Sequence, residues 1–286
     1  SLQALAAALK DSQAVVRQKA ADALGAIGPE AADAVPALAQ ALKDTEAGMR
    51  MKVADALGSI GAKAHDAVPA LEQALKDAEA GVRREAAGAL GKIGESAKDA
   101  VPALALMLKD ADAKIRTAAA AALGDIGPAA KDAVSALLQV LKDGEALVRR
   151  QAADALGRIG RSGSEVVAAL VQAIGDKDGS VRVSAVAALG RIGPSAGDSV
   201  PALAQTLNEG DAAVRQEATK TLGRIGVMNE KALLLLVQAL KDKDAATRES
   251  AAKAVGTVAS SGAVPKDVLQ SNINLLKDAD AEVKKS

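Results

Sequence analysis

Chemistry has few places to reside in this chain. Its 286 residues include one histidine, His65, and no cysteine, so disulfides, thiolate nucleophiles and cysteine-bound metals are excluded. His65 stands in GAKAHD, which reads as a loop, without companions at ligand spacing, and reads as a solvated surface imidazole. Asp-x-Asp pairs recur at Asp110/Asp112, Asp176/Asp178, Asp242/Asp244 and Asp278/Asp280. DKDGS at 176–180 opens like a calcium loop but lacks the further acidic ligands and the distal Glu, and acids placed at helix starts account for all the pairs. GRIGRSG at 157–163 has the glycines of a phosphate loop, yet they follow a helix, whereas phosphate is held at a helix N-terminus. These residues assemble no catalytic constellation and call for no cofactor and no metal.

The bulk composition narrows the field further. Lys plus Arg and Asp plus Glu both number 36, so net charge offers no general attraction to nucleic acid or to an anionic membrane. No run approaches the roughly 18 apolar residues of a membrane span. Apolar residues make up 49% of the chain, yet Phe, Tyr and Trp are absent. Such a core has to be built from Ala, Leu, Val and Ile, which suits closely packed helices in a thin, extended structure.

What the chain does contain is repetition. Six-residue segments of the form ALGxIG recur, and Gly25, Gly58, Gly91, Gly124, Gly157, Gly190, Gly223 and Gly256 fall 33 residues apart. Arg17, Arg50, Arg83, Arg116, Arg149, Arg182, Arg215 and Arg248 keep the same ruler. A fixed period of this length signifies a solenoid. Within residues 33–61, Val35, Leu38, Ala41 and Leu42 predict a helix A over about 33–43, with Pro36 in its first turn. Asp44 and Glu46 mark the start of helix B, which continues through Met49, Val53, Ala56, Leu57 and Ile60 to a left-handed stop at Gly61. Gly58 is expected to be bare so that a neighbouring helix can approach. The variable fourth letter of the motif is expected to face outward.

An acid stands six residues before each repeat arginine: Asp11/Arg17, Asp44/Arg50, Asp77/Arg83, Asp110/Arg116, Asp143/Arg149, Asp176/Arg182 and Asp242/Arg248, with Glu209/Arg215 the one swap. Ankyrin's Thr-Pro-Leu-His turn and the aromatic positions of tetratricopeptide repeats are missing. The pattern AVPAL…LKD…VRxxAAxALGxIG resembles HEAT repeats of the short phycobilisome-lyase-like type, over essentially the whole chain. That resemblance implies an all-α, right-handed α-solenoid of about eight helix A/helix B repeats, with helix A convex and helix B concave. It also implies that Asp44, Arg50, Asp77, Arg83, Asp110, Arg116, Asp143, Arg149, Asp176 and Arg182 form a ladder between adjacent repeats. As exposed rungs these would contribute about 0.2–1 kcal/mol each and mainly fix register. The units run at about 1–28, 29–61, 62–94, 95–127, 128–160, 161–193, 194–226 and 227–259, with a partial one at 260–286, in a single array. Ser1 aligns with Ala34, and Lys284 aligns with the repeat arginine after an insertion near 261–267, so a piece of a longer array is expected.

Recognition is then expected on the varying positions of helix B. One column reads Ala26, Ser59, Lys92, Asp125, Arg158, Arg191, Arg224 and Thr257. A second, one residue after the repeat arginine, holds Arg84, Thr117, Arg150 and Val183; a third, midway, holds Gly88, Ala121 and Ala187. Arg84, Lys92, Thr117, Arg150, Arg158, Val183, Arg191 and Arg224 are accordingly the expected partner-binding residues, around a small, weakly apolar middle. The function expected is a non-enzymatic scaffold that binds a protein or peptide, with an acidic segment the natural fit for guanidinium groups. Nucleic acid or a phosphate ligand on the same arginines is the rival, disfavoured by zero net charge, interspersed acids and the lack of stacking aromatics. A designed or consensus scaffold and a bilin-lyase-like accessory protein are the remaining readings. Compartment and oligomeric state are left open.

Overall fold

In a computed structural model that describes residues 1–226 and 229–260, every regular element among the described residues is helical. Asp278, Asp280, Lys284 and the insertion near 261–267 lie outside the described residues. The chain groups into two compact units, Ser1–Ile159 and Gly160–Ser286. In the first, short helices α1 (Leu2–Ala8), α3 (Val35–Ala41), α5 (Val68–Ala74), α7 (Val101–Met107) and α9 (Val134–Val140) alternate with long ones. The long ones are α2 (Ala14–Ile27), α4 (Ala47–Ile60), α6 (Ala80–Ile93), α8 (Ala113–Ile126) and α10 (Ala146–Ile159). The second unit pairs α11 (Ser164–Ala173), α13 (Val200–Glu209) and α15 (Glu230–Ala239) with α12 (Gly179–Ile192), α14 (Ala212–Ile225) and α16 (Ala245–Ser260). In each unit the long helices stack side by side, and each short helix packs on the long one that follows it. Among the described residues no helix is long and apolar enough to cross a membrane.

Helix A is shorter than its apolar spacing suggested. The residues before it form a separate 3-10 segment, Gly28–Ala34, and α3 itself runs only from Val35 to Ala41. The three-residue period of a 3-10 helix puts Ala31 and Ala34 on one face, and both are fully buried. Ala64/Ala67, Ala97/Ala100 and Ala130/Ala133 repeat this inward face. At the start of the second unit Gly163 and Val166 replace that alanine pair. No 3-10 segment forms there, residues 161–163 are irregular, and α11 starts early, at Ser164.

From α2 to α12 helix B stops at a positive-φ glycine, but not in the left-handed helical well that the sequence suggested, and α14 stops at Gly226 with φ −69°. Gly61 has φ 68° and ψ −141°, a region that only glycine occupies readily. The chain therefore turns away sharply and enters the 3-10 segment at once. The acids at the start of helix B divide their work. Glu46 occupies the N-cap of α4 without a side-chain cap bond, while Asp44 accepts the Glu46 N–H at 2.9 Å and so closes the preceding turn. Where the N-cap is itself an aspartate, as at Asp112 and Asp178, its carboxylate caps the helix, accepting N–H bonds at 2.8 Å.

The missing aromatics are compensated by close approach. A Cβ on Gly91 would stand 3.0 Å from Ala122 Cα, and one on Gly58 equally close to Ala89 Cα, so neighbouring long helices meet backbone to backbone. Leu57, Leu90 and Leu123 beside these contacts are fully buried. Small residues thus bring the leucine rows close enough to fill the core without large rings. In the second unit Thr221 occupies the corresponding alanine position, and its buried hydroxyl donates to the Val186 carbonyl at 2.9 Å, binding α14 to α12.

Two glycines on one helix should respond oppositely to the same change. Gly88→Ala meets no atom within 4 Å and is expected to stabilise by about 0.5–1 kcal/mol through helix propensity. Gly91→Ala gains the same propensity but is expected to destabilise by about 1 kcal/mol or more, because α8 has to move. Thermal or denaturant unfolding of the two variants checks the sign of each.

Candidate functional site

The repeat arginine ties its own turn to the repeat that follows. Arg50 projects from α4 with two sets of donors pointing different ways. Its Nη1 donates to the Asp44 and Thr45 carbonyls of its own turn, at 2.8 and 3.1 Å. Its Nε and Nη2 donate to the two carboxylate oxygens of Asp77 in the next repeat, at 2.7 and 2.8 Å. Asp77 in turn accepts the Glu79 N–H at 2.9 Å, closing its own turn. The same fork joins Arg17 to Asp44, Arg116 to Asp143 and Arg215 to Asp242. These rungs are not the exposed pairs the sequence suggested: the Arg50 and Asp77 side chains are only 14% and 13% accessible. Two charge-assisted bonds at low exposure place them above ordinary surface ion pairs.

The rungs differ along the chain. Arg83 reaches Asp110 at 3.4 Å through Nη2, and its buried Nε has no hydrogen-bond partner. Arg182 pairs with Asp211 at 2.6 Å rather than with Glu209, the residue in register. The reason is local. Helix α13 extends to Glu209, whose carboxylate takes a bond from Gln205 at 2.9 Å, and Asp211 becomes both N-cap of α14 and partner of Arg182. Arg149 is buried and donates to the Asp143 and Gly144 carbonyls at 2.8 and 3.1 Å. Asp176 accepts the Asp178 N–H at 2.8 Å.

The variable column of helix B is exposed at every position from Ala26 to Thr257. Its basic members, however, serve the fold in a way that column-reading missed. A Cβ on Gly58 would meet Lys92 Cδ at 3.0 Å, one on Gly124 would meet Arg158 Cδ at 3.5 Å, and one on Gly190 would meet Arg224 Nη1 at 3.3 Å. The stems of Lys92 and Arg158, and the guanidinium of Arg224, lie over the bare glycine of the preceding repeat. Lys92 then reaches Asp55 at 3.1 Å, and Arg158 pairs with Asp125 and, at 2.9 Å, with Asp154. Lys52 reaches Asp22 at 2.9 Å in the same manner. The available signal was a pairing of charge between successive units, an acid in one opposite a base in the next.

Of the other expected contact residues, Arg84 is exposed and meets Glu85 at 2.9 Å, while Thr117 donates to the Ala113 carbonyl at 2.7 Å. Arg150 and Val183 are half-buried, and Arg191 and Arg224 are exposed. The second unit thus has Arg191 on α12 and Arg224 on α14 at the same step of adjacent helices. His65 is exposed, with Nδ1 3.3 Å from the Ala62 carbonyl and Nε2 3.4 Å from Asp66. It lies in a 3-10 segment, Gly61–Ala67, rather than in an irregular loop.

Acid should weaken the ladder. The Arg50 fork holds the Asp77 carboxyl below the usual carboxylate range against the opposing effect of burial, and Arg116 does the same to Asp143. With folded pKa values below the unfolded ones, this stability is fully present above about pH 4 and disappears as pH falls through the folded values. Asp77→Ala is expected to cost about 1–3 kcal/mol at neutral pH, and Asp110→Ala, facing the single longer contact, distinctly less. Urea unfolding at pH 7 and at pH 3 should show the difference at the first and its shrinkage at the second.

The HEAT-repeat family model matches this chain over residues 2–87, 68–146, 101–189, 134–209, 167–256 and 200–286. No curated protein matches it in sequence. Among solved structures, an engineered protein shares 25% identity with a TM-score of 0.63, covering 96% of this chain and 81% of its own. The YibA protein of Escherichia coli shares 23% identity at a TM-score of 0.58, covering 90% and 92%. The complex of CpcE and CpcF of phycocyanin lyase from a Nostoc species shares 24% at 0.52, covering 90% and 94%. The last two show likeness of fold. Repeat register, paired helices and family match agree: the chain belongs to the HEAT-repeat family.

Proposed function

We propose that the chain is a non-enzymatic scaffold that binds a protein segment along the exposed edge of its long helices. What carries this reading is a contrast of requirement. The buried leucines, the close-approach glycines and the arginine forks repeat because each junction needs them, whereas the exposed column changes letter from unit to unit. A position whose letter the junctions do not dictate is one that can be shaped to a partner. Lys92 and Arg158 contribute apolar stems, with heads that also meet acids of their own chain. Arg191 and Arg224 of the second unit, with Val183 and Ala187 beside them on α12, offer guanidinium groups next to small apolar surface. An acidic amphipathic helix fits that combination. Arg84, Thr117 and Arg150 give the first unit a similar but more balanced edge.

The reading is tested with a fluorescent, capped helical peptide of glutamate and leucine, titrated against the whole chain. An Arg191→Glu/Arg224→Glu double variant is expected to bind about tenfold more weakly or worse, and the parent's affinity to fall with added salt. Equal affinity of the two proteins, or no salt dependence, would set the proposal aside.

A further inference from the structure

Within the first unit each long helix after α2 is covered by the long helix before it, and α2 itself has no such neighbour among the described residues. Exposure shows what the covering does. Leu38, Met49, Ala56 and Ile60 on α3 and α4 are no more than 2% exposed, and so are Leu71, Val82, Ala89 and Ile93 one repeat on. Leu5, Val16 and Ala23 hold the same positions on α1 and α2 but are only half-buried, and Ile27 is 38% exposed. A groove of about 320 Å³ opens there, lined by Leu5, Ala8, Val15, Val16 and Ala20, with Lys19 the one charged group of its lining.

The polar groups of this face stand in the register of an inner junction. Asp11 accepts the Gln13 N–H at 2.8 Å, and Arg17 donates to its carbonyl at 3.0 Å. Asp44 has the same two bonds, at 2.9 and 2.8 Å, and is gripped in addition by the fork of Arg17 from the repeat before. Among the described residues no arginine grips the Asp11 carboxylate. Lys19 is equally loose, with a side chain 78% accessible and 3.9 Å from Asp22. Its equivalent Lys52 reaches across the junction to Asp22 at 2.9 Å. Ala23 completes the set. Its equivalent Ala56 receives bare Gly25, whose added Cβ would stand 3.1 Å from Ala56 Cα.

We infer that this face docks a helix of a partner protein, one that carries an arginine, an acid five residues later and a glycine three beyond the acid. That is the pattern α2 presents to α4 through Arg17, Asp22 and Gly25. The partner's guanidinium grips Asp11, its acid meets Lys19, and its glycine lets the backbone settle on Ala23 while apolar side chains enter the groove. A second copy of this chain fits less well. Its last described long helix, α16, has Arg248 and Gly256 at the required spacing, but Lys253 stands where the acid belongs and would face Lys19. Arg191 and Arg224 take no part, and the helix sought here is led by an arginine rather than by acids. Either this inference or the function proposed above can therefore fail alone.

The probe is a capped, fluorescent peptide of residues 46–60, which contains Arg50, Asp55 and Gly58. A covalent link between side chains placed at Met49 and Val53 holds it helical. Titrated with the full chain and followed by anisotropy, it is expected to bind saturably. Asp11→Asn, which keeps the turn bond and loses the charge, should weaken binding about tenfold or more. A peptide with Arg50→Ala should bind the parent chain about as weakly, and lose nothing further against Asp11→Asn. Ala23→Leu, at a half-buried position, should obstruct the glycine and weaken binding at least as much. Absence of binding at millimolar chain, or affinity indifferent to the Asp11 and Ala23 changes, would overturn the inference. So would sedimentation showing that the chain alone dimerises and that Ala23→Leu abolishes the dimer, since the occupant would then be a second copy.

Discussion

One guanidinium per repeat performs two incompatible-looking tasks at once, and the stacking of the repeats depends on it. The turn between helix A and helix B ends in carbonyls that no helix satisfies, and the turn of the next repeat ends in a carboxylate. Arginine alone has a rigid fork with enough donors to serve both. At Arg50, Nη1 closes the near turn on Asp44 and Thr45 while Nε and Nη2 grip Asp77 across the junction. Lysine would supply the charge but not the two directions. This explains why the acid and the arginine keep their registers when the surface between them drifts.

Close approach of the long helices is the second constraint, and it follows from the choice of side chains. With no ring to span a gap, the core closes only if backbones come near, hence glycine facing alanine at Gly58–Ala89 and Gly91–Ala122. That nearness leaves a shallow notch over each glycine. Lys92 and Arg158 lay their stems along such notches and end on acids of the preceding repeats. Junction packing and surface charge are therefore linked, and the recognition edge inherits its charge pattern partly from the fold.

Periodicity along the chain makes the helix pairs, the buried leucines, the close glycines and the register of the arginines legible from the residues alone. The local departures are not. The 3-10 segments are hidden because Ala31 and Ala34 look like the start of the helix that follows them. The extended ψ at Gly61 cannot be told from a helical cap by composition alone. Glu209 resembles a conservative swap, yet lengthening of α13 hands its role to Asp211. On the exposed edge, reading columns down the repeats shows which residues vary but not that Asp55 faces Lys92. That fact lives between columns, in the offset of neighbouring helices.

The dependence of the stack on the fork is tested most directly by a double-mutant cycle on Arg116 and Asp143, using Arg116→Ala, Asp143→Ala and both together in equilibrium unfolding. Each single change also removes other bonds, but the cycle isolates the pair. A coupling energy of about 1–2 kcal/mol, shrinking as acid protonates the carboxylate, is the result this account predicts. A coupling within about 0.3 kcal/mol of zero would contradict it. Packing alone would then hold the repeats in register.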